Sequence, residues 1–212
     1  RALQLQEHPA WCGIASATTI TEAARAGISE QDRFPDAFRE APQWPSVFGH
    51  YGFDGLEALP VPLKHALLRH LRFDGVPLSL LGEWFRVQGY GAEVVSAGDT
   101  DLASFRADVS AAFPEEGAGE EPPTARHYVL VNYSRHVVVQ RVFSGGHYAP
   151  LGGYHRGLDK ILVLDVNGWR YPSVWVDLPL LWSAVHTRVG NGSWRGYLRV
   201  SAPCGAALAA EG

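Results

Sequence analysis

The chain has few cysteines, no methionine and no long apolar run, and each shortage excludes a class of protein. Two cysteines, Cys12 and Cys204, are too few for a disulfide-rich scaffold or a cysteine-based structural zinc site, although one disulfide between them stays open. No stretch approaches the roughly 20 apolar residues of a membrane-spanning helix. The net charge of -4 lacks the basic excess that nucleic-acid binding requires.

The length and composition favour one globular domain over residues 1–212. The chain opens without a recognisable signal peptide, so we expect a cytoplasmic protein, with a leader removed by processing as the alternative. Nine histidines could ligate a metal, but no HExxH pattern occurs, and His65 and His70 are poorly spaced for one helical face. We therefore expect no protein metal site.

Apolar periodicity changes along the chain from helical to extended. It predicts helices over 12–26, 62–72, 77–88, 101–113 and 178–187, and strands over 92–95, 127–133, 136–143, 160–166 and 196–201. Residues 114–125 are acidic and rich in Pro and Gly, and we interpret them as a mobile loop. This order predicts an α+β fold with a helical lobe over about 1–115 packed on an antiparallel β lobe over about 125–203.

Cys12 stands where an extended segment containing Pro9 changes into the first predicted helix. A helix N-terminus carries free N–H groups and partial positive charge, which stabilise a thiolate and make a cysteine nucleophilic. Gly13 lets the backbone turn tightly and leaves room for a substrate. The simpler interpretation is a buried core cysteine, because free cysteines are commonly buried.

Gln6 lies six residues before Cys12 and is a candidate oxyanion donor. Its side-chain amide would act together with the backbone N–H of Cys12 on charge that develops in the transition state. Gln4 is also nearby, and spacing does not choose between the two. A solvent-facing glutamine is the default interpretation of either residue.

Enzymes with this Cys–His order carry the histidine roughly 130–150 residues after the cysteine, and an Asn or Asp beyond it. His147 falls in that window, and we expect the neighbouring glycines to leave its imidazole exposed. Asp165 lies in the apolar segment ILVLDV, where an acid is costly unless it is paired. We therefore predict that Asp165 orients His147, which lies on a neighbouring strand.

Other histidines and acids compete for these roles. His155 also follows a Gly-Gly-Tyr segment and is a rival base that chemistry leaves open. His127 and His136 occupy predicted strands, where a structural histidine is the simpler interpretation. Asp159 and Asp177 lie in turn-like contexts, which favour caps or surface acids.

Three motifs together resemble the catalytic domain of phytochelatin synthases. They are QEHPAWCGIAS at 6–16, GHYAPLGGY at 146–154, and LDV at 164–166, which leads into Tyr171-Pro172, Trp175-Val176 and Leu180-Leu181-Trp182. Weaker similarity covers 75–113 and the strand at 131–133. The joint pattern spans nearly the whole chain and is specific, whereas each motif singly is not.

The resemblance implies a papain-like fold of the cysteine-peptidase superfamily, with His147 as the base, Asp165 as its orienting acid and Gln6 as the oxyanion donor. It implies that Cys12 attacks the Cys–Gly bond of glutathione and forms a γ-glutamylcysteinyl thioester. A second glutathione or water then takes the acyl group. Cadmium or zinc would promote transpeptidation as complexes with substrate thiols, so no tightly bound cofactor is implied. Glutathione is the expected partner, with neither nucleic acid nor membrane, and a homodimer stays open.

The resemblance also suggests substrate contacts. Arg135 matches a family arginine implicated in handling the second substrate or the metal thiolate. We expect aromatic residues to line the cleft, although simple packing is an equal alternative. The expected substrate-binding residues are Trp11, Gly13, Gly146, Tyr148, Tyr154, Arg135 and Arg170.

The chain also departs from the family pattern. Gly168 stands where plant members carry an arginine, for which the nearby Arg170 is the expected substitute. The loop 139–146 is longer by two residues, the segment 114–125 has no counterpart in composition, and the Cys-rich C-terminal region is absent from this sequence apart from Cys204. These differences are compatible with a short bacterial-type member that mainly hydrolyses glutathione. They also leave open a papain-like peptidase or acyltransferase acting on another amide, and a non-catalytic metal- or thiol-binding protein.

Overall fold

A computed structural model describes residues 3, 5–6, 11–25, 60–73, 75–114, 125–138, 145–168 and 170–203. The helices are α1 (Cys12–Arg25), α2 (Val61–Phe73), α3 (Leu78–Val87), α4 (Leu102–Ala112), α5 (Arg135–Val138) and α6 (Leu178–Val185). The strands are β1 (Gly91–Ser96), β2 (Ala125–Ser134), β3 (Gly146–His155), β4 (Lys160–Val163), β5 (Val174–Asp177) and β6 (Gly196–Pro203). Short 3-10 turns follow β1 and β3.

The described strands form one antiparallel sheet of six in the order β1-β6-β2-β3-β4-β5. Side chains alternate between its two faces, so Leu130 faces one core while Val129 and Val131 face the other. Helices α1 and α3 cover the first face, and α4 and α6 cover the second. The α+β architecture is confirmed.

Helix ends follow local sequence signals. Asp101 caps α4, where its carboxylate accepts a hydrogen bond from the backbone N–H of Ser104 at 2.8 Å. Helix α6 begins after Asp177 and has proline in its first turn, where the missing N–H costs nothing. Helix α1 has no acidic residue in its first turn, and its positive end lies at Cys12.

The strand predicted over 136–143 is wrong where the structure describes it, because residues 135–138 form the short helix α5. Valine-rich sequence favours a strand, but here the chain leaves β2 before returning antiparallel through β3, so tertiary context overrides local propensity. The strand predicted over 160–166 ends at Val163, and neither β3 nor β5 is among the predicted strands. Most of the loop predicted over 114–125, together with Cys204, lies outside the described residues.

None of the helices among the described residues has the length and apolarity needed to cross a membrane. The arrangement that matters for the site is the packing of α1 against β3. It brings the N-terminus of α1 to the strand that carries His147. Next to it, the segment after β4 is tied to β3 by a hydrogen bond from the N–H of Leu164 to the carbonyl of Pro150 at 3.0 Å.

Candidate active site

Cys12 begins helix α1 and is buried. Its thiol hydrogen-bonds with the side chain of His147 and with the backbone N–H of Tyr148. Both partners come from β3, so the packing of a helix on a strand creates the contact. The sequence placed Cys12 and His147 far apart along the chain, and the structure brings them together.

His147 lies between Cys12 and Asp165. Its Nε2 is 3.0 Å from Oδ1 of Asp165, and the ring packs edge-on against Tyr133 at a centroid distance of 5.7 Å. The prediction that its imidazole is exposed is wrong, because only 4% of the residue is accessible. Glycine neighbours do not keep a ring exposed when helix α1 covers the strand.

Asp165 follows β4, and its Oδ1 accepts several hydrogen bonds. Its Oδ1 accepts from the backbone N–H of Asn167 at 2.7 Å and from Nη2 of Arg135 at 2.6 Å, in addition to facing His147. The expected pairing of this buried acid is therefore present, and it includes a cation as well as the imidazole. Asp165 lies beyond the strand end, where the backbone can bend to supply the Asn167 N–H.

Arg135 is the fourth charged group of the site. It is 4% exposed, and its Nη2 lies 2.5 Å from Nε2 of His147 as well as 2.6 Å from Asp165. The guanidinium stacks on the ring of Tyr171 at 4.2 Å from the ring centroid. The sequence analysis expected Arg135 among the substrate contacts, whereas the structure packs it against the Asp–His pair.

The electrostatics favour a thiolate beside an imidazolium. Burial raises the pKa of Cys12, but the hydrogen bond and charge of His147, the Tyr148 N–H and the charge of Arg135 outweigh it and lower that pKa below its ordinary value. Burial lowers the pKa of His147, yet its bonds to Asp165 and Cys12 leave it raised. Burial raises the pKa of Asp165, and His147, Arg135 and the Asn167 N–H bring it below its usual range.

Gln6 is buried, and its backbone N–H donates to the carbonyl of Val166 at 2.7 Å, one residue beyond Asp165. This bond fixes the segment before α1 to the segment after β4. Trp11 is partly buried against the first core, and Gly13 lies against Leu81 and the ring of Tyr148. Trp11 and Gly13 flank Cys12 at the start of α1, Gln6 is held beside the segment that carries Asp165, and Gln4 lies outside the described residues.

Four other expected residues divide between the site and its surroundings. Tyr148 is buried beside Cys12, and its hydroxyl donates to the carbonyl of Val76 at 2.8 Å. Gly146 immediately precedes His147. The hydroxyl of Tyr154 instead donates to Oδ1 of Asp159 at 2.7 Å. Tyr154 is seven residues after His147 in β3, which corresponds to roughly 20 Å of extended chain. Arg170 is exposed. Among the described residues, no hydrogen bond or ion pair joins its side chain to the triad of Cys12, His147 and Asp165.

The rival residues have other contacts. Nδ1 of His155 accepts the backbone N–H of Leu158 at 3.2 Å in the turn after β3. His127 and His136 are exposed, Asp159 pairs with Arg106, and Asp177 pairs with Lys160. Among the described residues, no group of three or more His, Cys, Asp or Glu side chains is placed to hold a metal ion.

Arg195 is a buried cation that the sequence analysis missed. It is 8% exposed, Nη1 donates to Oδ1 of Asn132 at 2.9 Å, and Nε donates to Oγ1 of Thr187 at 3.0 Å. No carboxylate among the described residues pairs with it, and burial lowers its pKa. Its guanidinium lies directly against Gly146. The available sequence signal was that Arg195 directly precedes the largely apolar strand GYLRVSAP.

A comparison with protein families covers most of the chain. The family model described as phytochelatin synthase matches residues 1–197. The chain belongs to the phytochelatin synthase family. Cys12, His147 and Asp165, one residue from each of the three motifs, meet in space at the start of α1, the start of β3 and the end of β4.

Relatives of the phytochelatin synthase family align with most of the chain. It is 28% identical over 199 residues to glutathione gamma-glutamylcysteinyltransferase 3 of Lotus japonicus, covering 93% of this chain and 36% of the relative. It is 26% identical to glutathione gamma-glutamylcysteinyltransferase 1 of Arabidopsis thaliana, covering 94% and 36%. A relative from Schizosaccharomyces pombe is 28% identical, covering 62% and 29%. The chain therefore spans about a third of the length of the curated relatives it matches.

Proposed function

We propose that the chain is a cysteine-dependent acyltransferase that cleaves the Cys–Gly bond of glutathione through a γ-glutamylcysteinyl thioester. The observation that carries the proposal is the continuous contact from Cys12 through His147 to Asp165. The relatives named glutathione gamma-glutamylcysteinyltransferase supply the substrate class and the transferred group. A nucleophile at a helix N-terminus facing a histidine on an antiparallel sheet also supports a papain-like fold.

In the first half-reaction, the thiolate of Cys12 attacks the carbonyl carbon of the Cys–Gly peptide bond and forms the C–S bond. The carbonyl electrons move onto the oxygen and return when the C–N bond breaks. His147, protonated beside Cys12, gives its proton to the glycine nitrogen, so that glycine leaves as the free amine. The thioester remains on Cys12.

In the second half-reaction, His147 removes a proton from water or from the amino group of a second glutathione. That oxygen or nitrogen attacks the thioester carbonyl, and the thiolate of Cys12 leaves. Asp165 keeps the imidazole in the orientation from which it serves both steps. The oxyanion of each tetrahedral intermediate is assigned to the backbone N–H of Cys12 and the side-chain amide of Gln6.

Glutathione is anionic, and Arg195 supports an anionic substrate. A buried guanidinium is costly unless a negative group compensates it, and the described partners of Arg195 are the neutral Asn132 and Thr187. It contacts Gly146, the residue next to the catalytic base. We assign Arg195 to one carboxylate of the substrate. Cadmium or zinc would enter as the thiolate complex of the substrate rather than as a resident ion.

The test is intact-protein mass spectrometry after brief mixing with glutathione. The expected result is a mass gain equal to a γ-glutamylcysteinyl group, labile to hydroxylamine, with release of one glycine. Cys12→Ala should show neither. Cys204→Ser serves as the matched control, because it removes the other thiol and should leave the adduct in place.

A different amide substrate is the alternative, and Gly168 is the observation behind it. At Gly168, a Cβ would come within 2.8 Å of Cδ2 of Leu5, so Leu5 would have to shift to admit the plant-type arginine there. Rapid alkylation of Cys12 with no adduct and no glycine release would contradict the glutathione assignment. It would move the proposal to a different peptide or amide while keeping the cysteine chemistry.

A further inference from the structure

Arg135 makes contacts that a substrate ligand would not need. Its Nη2 lies 2.6 Å from Oδ1 of Asp165 and 2.5 Å from Nε2 of His147, and its guanidinium face is covered by Tyr171. The residue is 4% exposed. Helix α5 begins at Arg135, directly after the last residue of β2, so Arg135 stands at the junction of the two elements.

A guanidinium has donors only and stays charged at every pH at which proteins are folded. The bond to Asp165 is therefore favourable in all states of the site. The contact between Arg135 and His147 is favourable only while Nε2 of His147 carries a lone pair. When Nε2 is protonated, it donates to Asp165, and the guanidinium then places a second N–H donor against it. Arg135 therefore favours the neutral imidazole of His147, whereas Asp165 favours its protonated form.

Resting on the proposed cysteine chemistry, we propose that Arg135 is a positioning residue of the triad. It holds Oδ1 of Asp165 toward His147 and supplies a fixed buried positive charge that favours the deprotonated forms of Cys12 and His147. Its ring partner Tyr171 and the short helix α5 keep the guanidinium in place. Substrate recognition is then left to other groups, such as Arg195.

The charged and titratable groups around Arg135 come from every element packed on it. They are Cys12 of α1, Tyr133 of β2, His147 of β3, Asp165 after β4, and Tyr171. The fixed charge of Arg135 lowers the pKa of Cys12, Tyr133 and Asp165, and its contact with Nε2 opposes protonation of His147. Its removal should therefore move the ionisation of Cys12 and that of His147 in the same direction, toward higher pH.

The deciding experiment measures iodoacetamide alkylation of Cys12 against pH in the substrate-free protein, with Cys204→Ser as the background. Arg135→Met should move the midpoint of alkylation to higher pH. With glutathione present, both limbs of the kcat pH profile should move the same way, and kcat should fall by about 100-fold with little change in KM. Arg135→Lys, which keeps the charge, should restore most of the alkylation profile.

Arg106→Met is the matched control, since Arg106 also makes a two-point contact with an aspartate, Asp159, away from the triad. It should leave the alkylation profile unchanged. An unchanged profile in Arg135→Met with a raised KM would overturn the proposal and make Arg135 a substrate ligand. If Arg135→Met does not fold, the kinetics of Arg135→Lys decide. A lowered kcat supports a positioning role, whereas a raised KM with unchanged kcat contradicts it. A shifted midpoint without glycine release would contradict the glutathione proposal alone.

Discussion

Nε2 of His147 lies 3.0 Å from Oδ1 of Asp165, and both side chains are buried. A buried carboxylate next to an imidazole favours the imidazolium and fixes the ring orientation. The same oxygen also accepts from Arg135, so one carboxylate compensates two positive groups.

Asp165→Asn should lower both activity and stability. The amide keeps the shape but not the charge, so His147 loses the partner that favours its protonated form, and kcat should fall by on the order of 100- to 10,000-fold. Arg135 would lose its carboxylate while buried, which costs about 3–5 kcal/mol of unfolding free energy. Urea denaturation and glycine-release kinetics check the two effects. Asp177→Asn, on an exposed pair with Lys160, should change neither much.

The pH dependence of Cys12 alkylation should reveal a thiolate below the ordinary thiol range of about 8.5. The pKa of Cys12 is lowered, so the thiolate–imidazolium pair of Cys12 and His147 forms as pH rises through that pKa. The pKa of His147 is raised, so the pair persists until pH passes the pKa of His147. The stabilisation from His147 is complete below its unfolded pKa and is lost as pH rises through its folded pKa. Stopped-flow alkylation and denaturation at several pH values measure both. A midpoint at the value of a free thiol would contradict the ion pair.

Arg195→Gln should weaken substrate binding more than it slows chemistry. The amide can keep a hydrogen bond to Asn132, but the positive charge that we assign to a substrate carboxylate is lost. KM for glutathione should rise by about tenfold or more, in line with a lost charge-assisted hydrogen bond, and alkylation of the free enzyme should be unaffected. An unchanged KM would make Arg195 a structural residue.

Gly146→Ala should disturb the same region through packing. A Cβ at position 146 would overlap Nη1 of Arg195, so the guanidinium must move from Asn132. We expect a loss of about 1–3 kcal/mol of unfolding free energy, as for other overpacked sites, together with a raised KM. Gly190→Ala is the control, because its Cβ would meet nothing within 4 Å. Equal effects of the two substitutions would argue against the contact.

The order of the chain revealed the principal site residues because their chemistry leaves local signals. Cys12 stands at a helix start, Asp165 is an acid in an apolar segment, and His147 falls at the expected distance from the cysteine. Choosing His147 over His155 needed the family resemblance, since both follow glycine-rich segments. Arg135 was noticed through that resemblance and given a substrate role, because nothing local shows that its side chain turns back onto Asp165.

What the sequence alone determined is therefore the α+β class and most element positions, and it marked Cys12 and Asp165 as candidates for the nucleophile and its orienting acid. These depend on periodicity, capping and residue chemistry, which are local properties. The tertiary structure decided that residues 135–138 turn into a helix and that His147 is buried. It also decided that Arg135 contacts Asp165, that Arg195 lies against Gly146, and that Tyr154 bonds to Asp159. Those outcomes depend on which strands pair and which helix covers them, and such long-range contacts leave no periodic trace in the chain.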